Sequence, residues 1–182
     1  YLSQMELFNR RRLNNLGDLL STTPEIIAQS KRERLAEHVD VLQRRHNISA
    51  DRRRALELDV VTYLTGSGEA GEDMQLAMLS VLFERYAKRI PQRGLFDQPE
   101  EDVEPNRPLT VDASIAEGAR IHLLHRYDRP YYFGIDALCD ASSENAEQFL
   151  QLAARLVSQS ETQLIRAKAP PLRSGMQHTL LR

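Results

Sequence analysis

Residues 121–157 read IHLLHRYDRPYYFGIDALCDASSENAEQFLQLAARLV and hold the densest aromatic cluster and the only cysteine of the chain. The apolar positions before Tyr127 predict a helix that ends ahead of Arg129-Pro130, because a residue before proline is disfavoured in the α region. Residues 131–133 (Tyr-Tyr-Phe) predict an extended segment whose aromatic side chains pack into the fold, and Gly134 supplies a flexible turn. This stretch therefore predicts helices joined by an aromatic connection.

Two more helices are predicted after Gly134. A short helix fits Ile135 to Cys139, and Ser142 or Ser143 is expected to cap the helix that follows. In that second helix apolar residues recur at three- and four-residue spacing, which is the pattern of an amphipathic α-helix. These apolar residues are Phe149, Leu150, Leu152, Ala153, Leu156 and Val157.

The order of these elements resembles the helical lid region of initiator-type, origin-recognition-like AAA+ ATPases, a branch also found in bacteria. That lid carries a Ser-Gly-Asn-x-Arg-x-Phe-Leu element, and residues 143–150 occupy the same frame. Serine, asparagine, phenylalanine and leucine match, whereas Glu144 stands at the glycine and Glu147 at the arginine. In the family that arginine would reach the nucleotide phosphates, which a carboxylate repels.

The resemblance implies a lid fold with Asn145 and Glu147 nearest to a nucleotide. It implies no cofactor within this chain, but ATP and Mg²⁺ in a longer parent protein. The implied partners are the remainder of that longer chain, neighbouring subunits or nucleic acid, and the implied setting is a bacterial, DNA-associated process. The residues expected to form the core of the lid are Tyr131, Tyr132, Phe133 and Phe149.

Composition sets broad limits on the function. The chain has 182 residues, of which 41% are hydrophobic and 27% charged, which is typical of a globular protein. A net charge of −2 gives no electrostatic argument from the whole chain for nucleic-acid binding. No apolar run is long enough for a membrane span, so no membrane partner is expected.

Two further features of the sequence bear on where the protein works and on its extent. The single cysteine, Cys139, fits a reducing, cytoplasmic compartment and is expected to be a buried structural thiol. The chain starts at Tyr1 rather than at methionine and ends within a pattern that looks helical, so we expect a piece of a longer protein.

The first half of the chain predicts four helices. The first is expected over Tyr1–Leu20, and Thr23-Pro24-Glu25 is expected to start the second, which runs to about His46. Ser49 is expected to cap a third helix that ends at Leu64, with Leu56, Val60 and Leu64 at four-residue spacing. The fourth, Met74–Ile90, is apolar around most of its circumference and is expected to be central.

The predicted fold class is all-α and bundle-like, with two helical groups joined by an acidic, proline-rich linker. The N-terminal group is expected over residues 1–90, the linker over 91–109 and the lid-like domain over 110–169. A helix that begins after Thr110 or Asp112 is expected to open the lid-like domain. Residues 170–182 are expected to start a further helix or a winged-helix domain.

Two motifs suggest chemistry but fit it poorly. Gly66–Gly71 satisfies GxGxxG, yet no strand with an acidic residue follows, and Glu72 and Asp73 replace the Lys and Ser/Thr of a phosphate loop. A flexible helix connector is the better interpretation.

His122, His125 and Asp128 are spaced one helical turn apart, but no fourth metal ligand is indicated, so no metal site is predicted. No catalytic constellation is recognisable, and whether the protein is an enzyme stays open.

Arginine clusters are the remaining candidates for contacts with a partner. They could bind nucleic-acid phosphates or an acidic protein, although nearby carboxylates could equally neutralise them on solvated helix faces. The candidate residues are Arg10, Arg11, Arg12, Arg52, Arg53 and Arg54.

Three functions follow from these patterns. The leading hypothesis is a non-catalytic lid or regulatory part of a larger AAA+-like ATPase, which mediates packing and inter-subunit contacts. The alternative is a free-standing helical interaction module that binds protein or nucleic acid through arginine-rich faces. The third is a nucleotide-binding enzyme that uses Gly66–Gly71.

Overall fold

The computed structural model describes residues 6–13, 15–69, 71–89, 110–166 and 171–182. The fold is all-α, as predicted, and the bridge between Leu20 and Leu172 is the only β-type pairing among these residues. None of the described helices is both long enough and apolar enough to cross a bilayer. The helices are α1 (Glu6–Arg10), α2 (Gln29–Arg45), α3 (Ala50–Ser67), α4 (Glu72–Arg89), α5 (Ala113–Tyr127), α6 (Gly134–Ala141), α7 (Ala146–Ile165) and α8 (Ser174–Leu181), with a 3-10 turn at Gly17–Leu19.

The chain forms two compact units, which differ from the predicted domains. The first, called the terminal unit, combines residues up to Glu25 with those from Arg129 onward, and the second, called the central unit, spans Ile26–Asp128. Helix α5 packs against α4 within the central unit and does not open a lid-like domain at residue 110. The predicted linker, residues 91–109, lies outside the described residues.

Helix α4 is the centre of the central unit, as its apolar circumference predicted. It packs against α2, α3 and α5, and its Met74, Met78, Leu82 and Phe83 are fully buried. The predicted spacing on α3 is also confirmed, because Leu56, Val60 and Leu64 face this core.

Local capping fixes where α3 and α5 begin and where α3 ends. The hydroxyl of Ser49 accepts a hydrogen bond from the backbone N–H of Arg52 (3.2 Å), and the carboxylate of Asp112 accepts one from Ile115 N–H (3.0 Å). Ser49 was predicted to start α3, and Asp112 was one of two predicted caps for α5 beside Thr110. Each cap satisfies a backbone donor that the first helical turn leaves without a partner. Gly68 ends α3 in the left-handed region (φ 70°). Helix α3 therefore includes Gly66 and Ser67, and the connection to α4 starts only at Gly68, two residues later than predicted.

The core of the terminal unit is built differently from the prediction. Its buried apolar side chains include Phe8, Leu19, Leu138 and Leu156. The expected core residues Tyr131, Phe133 and Phe149 are only partly buried, and Tyr132 is exposed. Phe149 lies at the margin because α7 turns Leu156 and Leu164, rather than its first turn, toward the interior.

Two predictions for the N-terminal residues are wrong. Among the described residues, which start at Glu6, the single helix predicted over Tyr1–Leu20 is interrupted, because α1 ends at Arg10 and only a 3-10 turn follows at Gly17–Leu19. The second helix begins at Gln29 rather than at Thr23-Pro24. Glu25 instead contacts α8: its N–H donates to the Ser174 hydroxyl (3.1 Å) and its carboxylate accepts from Gly175 N–H (3.0 Å). Because of these contacts, residues 24–28 do not form the helix start that the local capping pattern predicts.

Candidate functional site

A surface hollow of about 360 Å³ lies at the start of α7. It contains both residues that the lid resemblance placed near a nucleotide, Asn145 and Glu147. The side chains that line it are Asn145, Glu147, Gln148, Gln151, Leu152 and Arg155.

Asn145 caps the start of α7. The sequence had predicted Ser142 or Ser143 for this role. The Asn145 side-chain oxygen accepts hydrogen bonds from the N–H groups of Glu147 (3.0 Å) and Gln148 (3.2 Å). Ser142 is buried and closes α6 instead, because its hydroxyl donates to the carbonyl of Cys139 (2.6 Å). The cap consumes two N–H groups at the α7 terminus, so they are not available to an anion in the hollow.

The backbone before Asn145 adopts an uncommon conformation. Ser143 and Glu144 have φ angles of 48° and 61°, in the left-handed region that glycine tolerates best. Glu144 is the residue that stands where the lid element has glycine. Glycine adopts this conformation without strain, which is a physical reason for the glycine that the lid element has at the position of Glu144.

The polar groups of the hollow are mostly bonded to their own helix or to the preceding one. Gln151 donates to the Glu147 carboxylate (3.3 Å), and Gln148 donates to the carbonyl of Ala141 (3.1 Å). Arg155 is exposed and makes no ion pair with a described residue, so its guanidinium is available to a ligand. One cation and one carboxylate in the same hollow favour a ligand that carries both polar and charged groups.

Four lining residues were not predicted to belong to a site: Gln148, Gln151, Leu152 and Arg155. Their spacing of three and four residues places them on one face of α7, which could have identified the surface once Asn145 and Glu147 were singled out. In contrast, Leu150, expected to face the core, is 66% exposed.

The six arginine candidates are divided between the two units. Arg10, Arg11 and Arg12 lie at the end of α1 in the terminal unit, whereas Arg52–Arg54 lie in the first turn of α3 in the central unit. Arg10 pairs with Glu6, and Arg54 lies 3.6 Å from Asp51. Arg11, Arg12 and Arg52 make no ion pair with the described residues.

Arg53 is the most engaged of these arginines. Its guanidinium contacts Glu57 (2.7 Å) and Asp40 (2.6 Å), and it also donates to Gln43. The hydrogen bond to Glu57 is the largest cause that raises the pKa of Arg53, and Asp40 adds to it against the opposing effect of burial. Arg53 thus joins α2 to α3 and is a structural residue rather than a free contact.

The residues with metal-ligand spacing also do not converge. His122 is partly buried and stacks on His38 with ring centroids 6.3 Å apart, while His125 is exposed and Asp128 pairs with Lys31 (2.9 Å). Burial lowers the pKa of His122, and the nearby His38 and Arg126 lower it further, whereas Glu84 opposes them. No group of three metal-ligating side chains occurs among the described residues.

Cys139 is exposed, which corrects the expectation of a buried thiol. In α6 the buried positions are Gly134 and Leu138, one turn apart. Cys139 follows Leu138 directly, and each helical residue is rotated by about 100° from the last, so its side chain leaves the buried face.

We expect Glu144→Gly to stabilise the protein. The left-handed conformation costs a residue with a side chain about 1–2 kcal/mol, and glycine avoids this cost. Glycine also has greater conformational freedom in the unfolded chain, which lowers the free energy of unfolding by about 0.5–1 kcal/mol. The net gain of up to about 1 kcal/mol corresponds to a rise in Tm of roughly 2–4 °C for a chain of this size, measurable by scanning calorimetry.

The matched control is Ala154→Gly, at an exposed position in the middle of the same helix. It should lower stability by about 1 kcal/mol, because glycine disfavours a helix interior. Equal losses from both substitutions would show that residue 144 does not adopt the left-handed conformation.

The chain matches no protein-family model, no curated protein and no solved structure.

Proposed function

We propose that this chain is a non-catalytic helical part of a larger AAA+-like ATPase, and that the terminal unit is its lid. The observation that carries the proposal is the backbone at residues 143–145. Glu144 has φ 61° where the lid element has glycine, and Asn145 caps α7 where the element has asparagine. Both positions of the frame thus have the local geometry that those residue types favour.

In this proposal the hollow at the start of α7 faces the nucleotide of the parent protein, with ATP and Mg²⁺ held by residues outside this chain. Glu147 is exposed in the first turn of α7. It stands at the position where the lid element has the arginine that would contact phosphate. A carboxylate at this position weakens rather than strengthens the binding of a phosphate group. The lid would then contribute packing, inter-subunit contacts and conformational switching, in a bacterial, cytoplasmic and DNA-associated setting.

A titration with a fluorescent ATP analogue and Mg²⁺ tests this proposal. The full-length gene product is expected to bind the nucleotide, and the 182-residue chain alone is expected not to bind it. In the full-length protein, Glu147→Arg should tighten binding by about tenfold, because one charge-assisted hydrogen bond to phosphate contributes roughly 1.5 kcal/mol or more.

The control for the charge change is Glu161→Arg, on the same helix but outside the hollow. It alters net charge equally and should leave the affinity within about twofold of the unmodified protein, since a distant, partly exposed charge is screened by salt. Equal effects of the two variants would contradict the placement of Glu147 near phosphate.

The alternative function, an interaction module with arginine-rich faces, has one observation in its favour. Arg11, Arg12 and Arg52 keep guanidinium groups that no described carboxylate neutralises. Binding to DNA through such groups would weaken steeply between 50 and 200 mM salt, by an amount that grows with the number of phosphates contacted. Salt-sensitive DNA binding by a full-length protein that does not bind ATP would favour this alternative.

A further inference from the structure

Two neighbouring side chains of α8 bind the extended segment that leads into α6. The N–H of Tyr132 donates to Nδ1 of His178 (3.2 Å), and the N–H of Gly134 donates to the side-chain oxygen of Gln177 (2.8 Å). Phe133 lies between the two donors in extended backbone, with φ −158° and ψ 159°. Alternate residues of an extended chain present their N–H groups to the same side, so one face of α8 can accept from both.

The two acceptors respond differently to pH. The amide oxygen of Gln177 does not titrate, whereas Nδ1 of His178 accepts a hydrogen bond only while it carries no proton. The imidazole that binds the Tyr132 N–H is therefore the neutral form with its proton on Nε2. In the protonated ring both nitrogens are donors, so the Tyr132 N–H would face a second N–H. Protonation thus removes the bond at Tyr132 and leaves the bond at Gly134.

We propose that His178 is a pH-sensitive switch, which holds the backbone of residues 131–133 against α8 when it is neutral and releases that backbone when it is protonated in mild acid. The release is confined to this segment, because α8 keeps other hydrogen bonds that do not involve His178. The Gln177 side chain also donates to the carbonyls of Ser21 and Leu172. Helix α8 therefore stays in place in both protonation states.

The surroundings of His178 favour its neutral form. Partial burial is the largest cause that lowers the pKa of His178, and the cation of Arg182, which follows α8, lowers it further. Carboxylates on the elements around α8 would favour the imidazolium if they reached it, but none of those described raises this pKa or forms an ion pair with His178. The charged residues of these elements are Asp136 and Asp140 on α6, Glu147, Arg155 and Glu161 on α7, Arg173 at the start of α8, and Glu25.

Stacking of two rings opposes the switch only in part. The imidazole of His178 lies parallel to the ring of Tyr132, with centroids 5.5 Å apart and planes at 9°. An imidazolium is attracted to the face of a tyrosine ring, so this contact can persist after protonation. It supplies no replacement for Nδ1, and the Tyr132 N–H must then bond to water. Protonation therefore frees the backbone at Tyr132, and the retained stack limits the movement to this segment.

The direction of the pKa shift sets the pH range of the switch. Because the pKa of His178 is lower in the folded chain than in the unfolded chain, the folded chain binds the proton more weakly. The contribution of the neutral ring to stability is complete above the ordinary value of about 6.5 and is lost as the pH falls through the lower folded value. The segment should therefore be held at about pH 7.5 and released progressively below about pH 6.

Nuclear magnetic resonance of the 182-residue chain labelled with ¹⁵N tests the switch between about pH 4.5 and 8. At neutral pH the imidazole signals of His178 should show Nδ1 without a proton, and their titration midpoint should lie below about 6.5. The amide signal of Tyr132 should shift with the same midpoint, whereas that of Gly134 should shift far less. The experiment contains no nucleotide, so its result is independent of the ATPase proposal.

Two substitutions at residue 178 fix the two states, and both should abolish the titration of the Tyr132 amide. His178→Asn keeps an acceptor, because the side-chain oxygen of asparagine lies about where Nδ1 lies, and it does not titrate. His178→Phe keeps a stacking ring but has no acceptor. Hydrogen exchange at Tyr132 at one pH should therefore be about two- to tenfold faster in His178→Phe than in His178→Asn.

The matched control is His125→Asn, at an exposed histidine of α5. It removes one titrating imidazole as His178→Asn does, but it should leave the titration of the Tyr132 amide unchanged. Circular dichroism first establishes that each variant is folded. If a variant does not fold, the titration of the unmodified chain decides by itself.

Three results would overturn the proposal. A proton on Nδ1 of His178 at neutral pH would show that this atom does not accept from Tyr132. A midpoint at or above about 6.5 would show that the folded chain does not favour the neutral ring. A Tyr132 amide that does not titrate, or that still titrates after His178→Asn, would show that His178 does not control this segment.

Discussion

Replacement of Gln177 with leucine is expected to destabilise the terminal unit by about 3–4 kcal/mol. The Gln177 side chain is completely buried and bonds three separate segments of the chain. Its amide nitrogen donates to the carbonyls of Ser21 (3.0 Å) and Leu172 (2.7 Å), and its oxygen accepts from Gly134 N–H (2.8 Å). Leucine has a similar volume but leaves the Gly134 N–H and the Ser21 carbonyl without this partner, at about 1–3 kcal/mol for each buried group. The Leu172 carbonyl still accepts from the Ser21 N–H (3.0 Å).

Hydrogen exchange measured by mass spectrometry at the peptide level checks this expectation. Exchange should accelerate in α6 and α8 and stay unchanged in peptides from α4. The control is Gln151→Leu, at an exposed glutamine of α7, which should change stability by no more than about 0.5 kcal/mol. Unaltered exchange in α6 and α8 after Gln177→Leu would show that this amide does not hold the segments together.

Replacement of Phe83 with alanine is expected to destabilise the central unit by about 3–5 kcal/mol. Phe83 is fully buried on α4, the helix that packs against α2, α3 and α5. Alanine would remove the contacts of the ring and leave a cavity, because the three surrounding helices cannot all move inward at once.

Urea unfolding followed by circular dichroism measures this loss. Ile121→Ala provides the comparison, since Ile121 lies in the same unit but is 43% exposed, and its loss should stay below about 1 kcal/mol. Similar losses from both variants would contradict the central position of α4.

Much of the fold could be predicted from the sequence because it is encoded locally. The caps at Ser49 and Asp112, the spacing of Leu56, Val60 and Leu64, and the apolar circumference of α4 all depend on residues within one or two turns. Such patterns are recognisable because a helix end needs a side-chain acceptor and a buried face needs a fixed period.

The errors arise where distant residues decide the local structure. Thr23-Pro24-Glu25 has the composition of a helix start, but Glu25 bonds Ser174 and Gly175 across a separation of about 150 residues. The grouping of α5 with α4 instead of with the residues that follow it has the same origin. Contacts of this kind are set by packing, which a periodic pattern does not report.

Two of the side chains that line the hollow were singled out from the sequence, and their proximity to a nucleotide stays a prediction. Asn145 and Glu147 were identified through the lid resemblance, and both line the hollow. The role of Asn145 as the cap was missed because serines precede it, and Ser142 turned out to be used by α6. The left-handed conformation of Glu144 could not be read from the residue type, since glutamate rarely adopts it.

The central proposal is that this chain is a non-catalytic part of a longer nucleotide-binding protein and that the terminal unit is its lid. It is tested most directly by the titration of ATP and Mg²⁺ against the full-length gene product and the 182-residue chain in parallel. Saturable binding by the full-length protein alone is the predicted result. The absence of binding by either protein would contradict the claim, and the arginine-rich faces would then be the better guide to function.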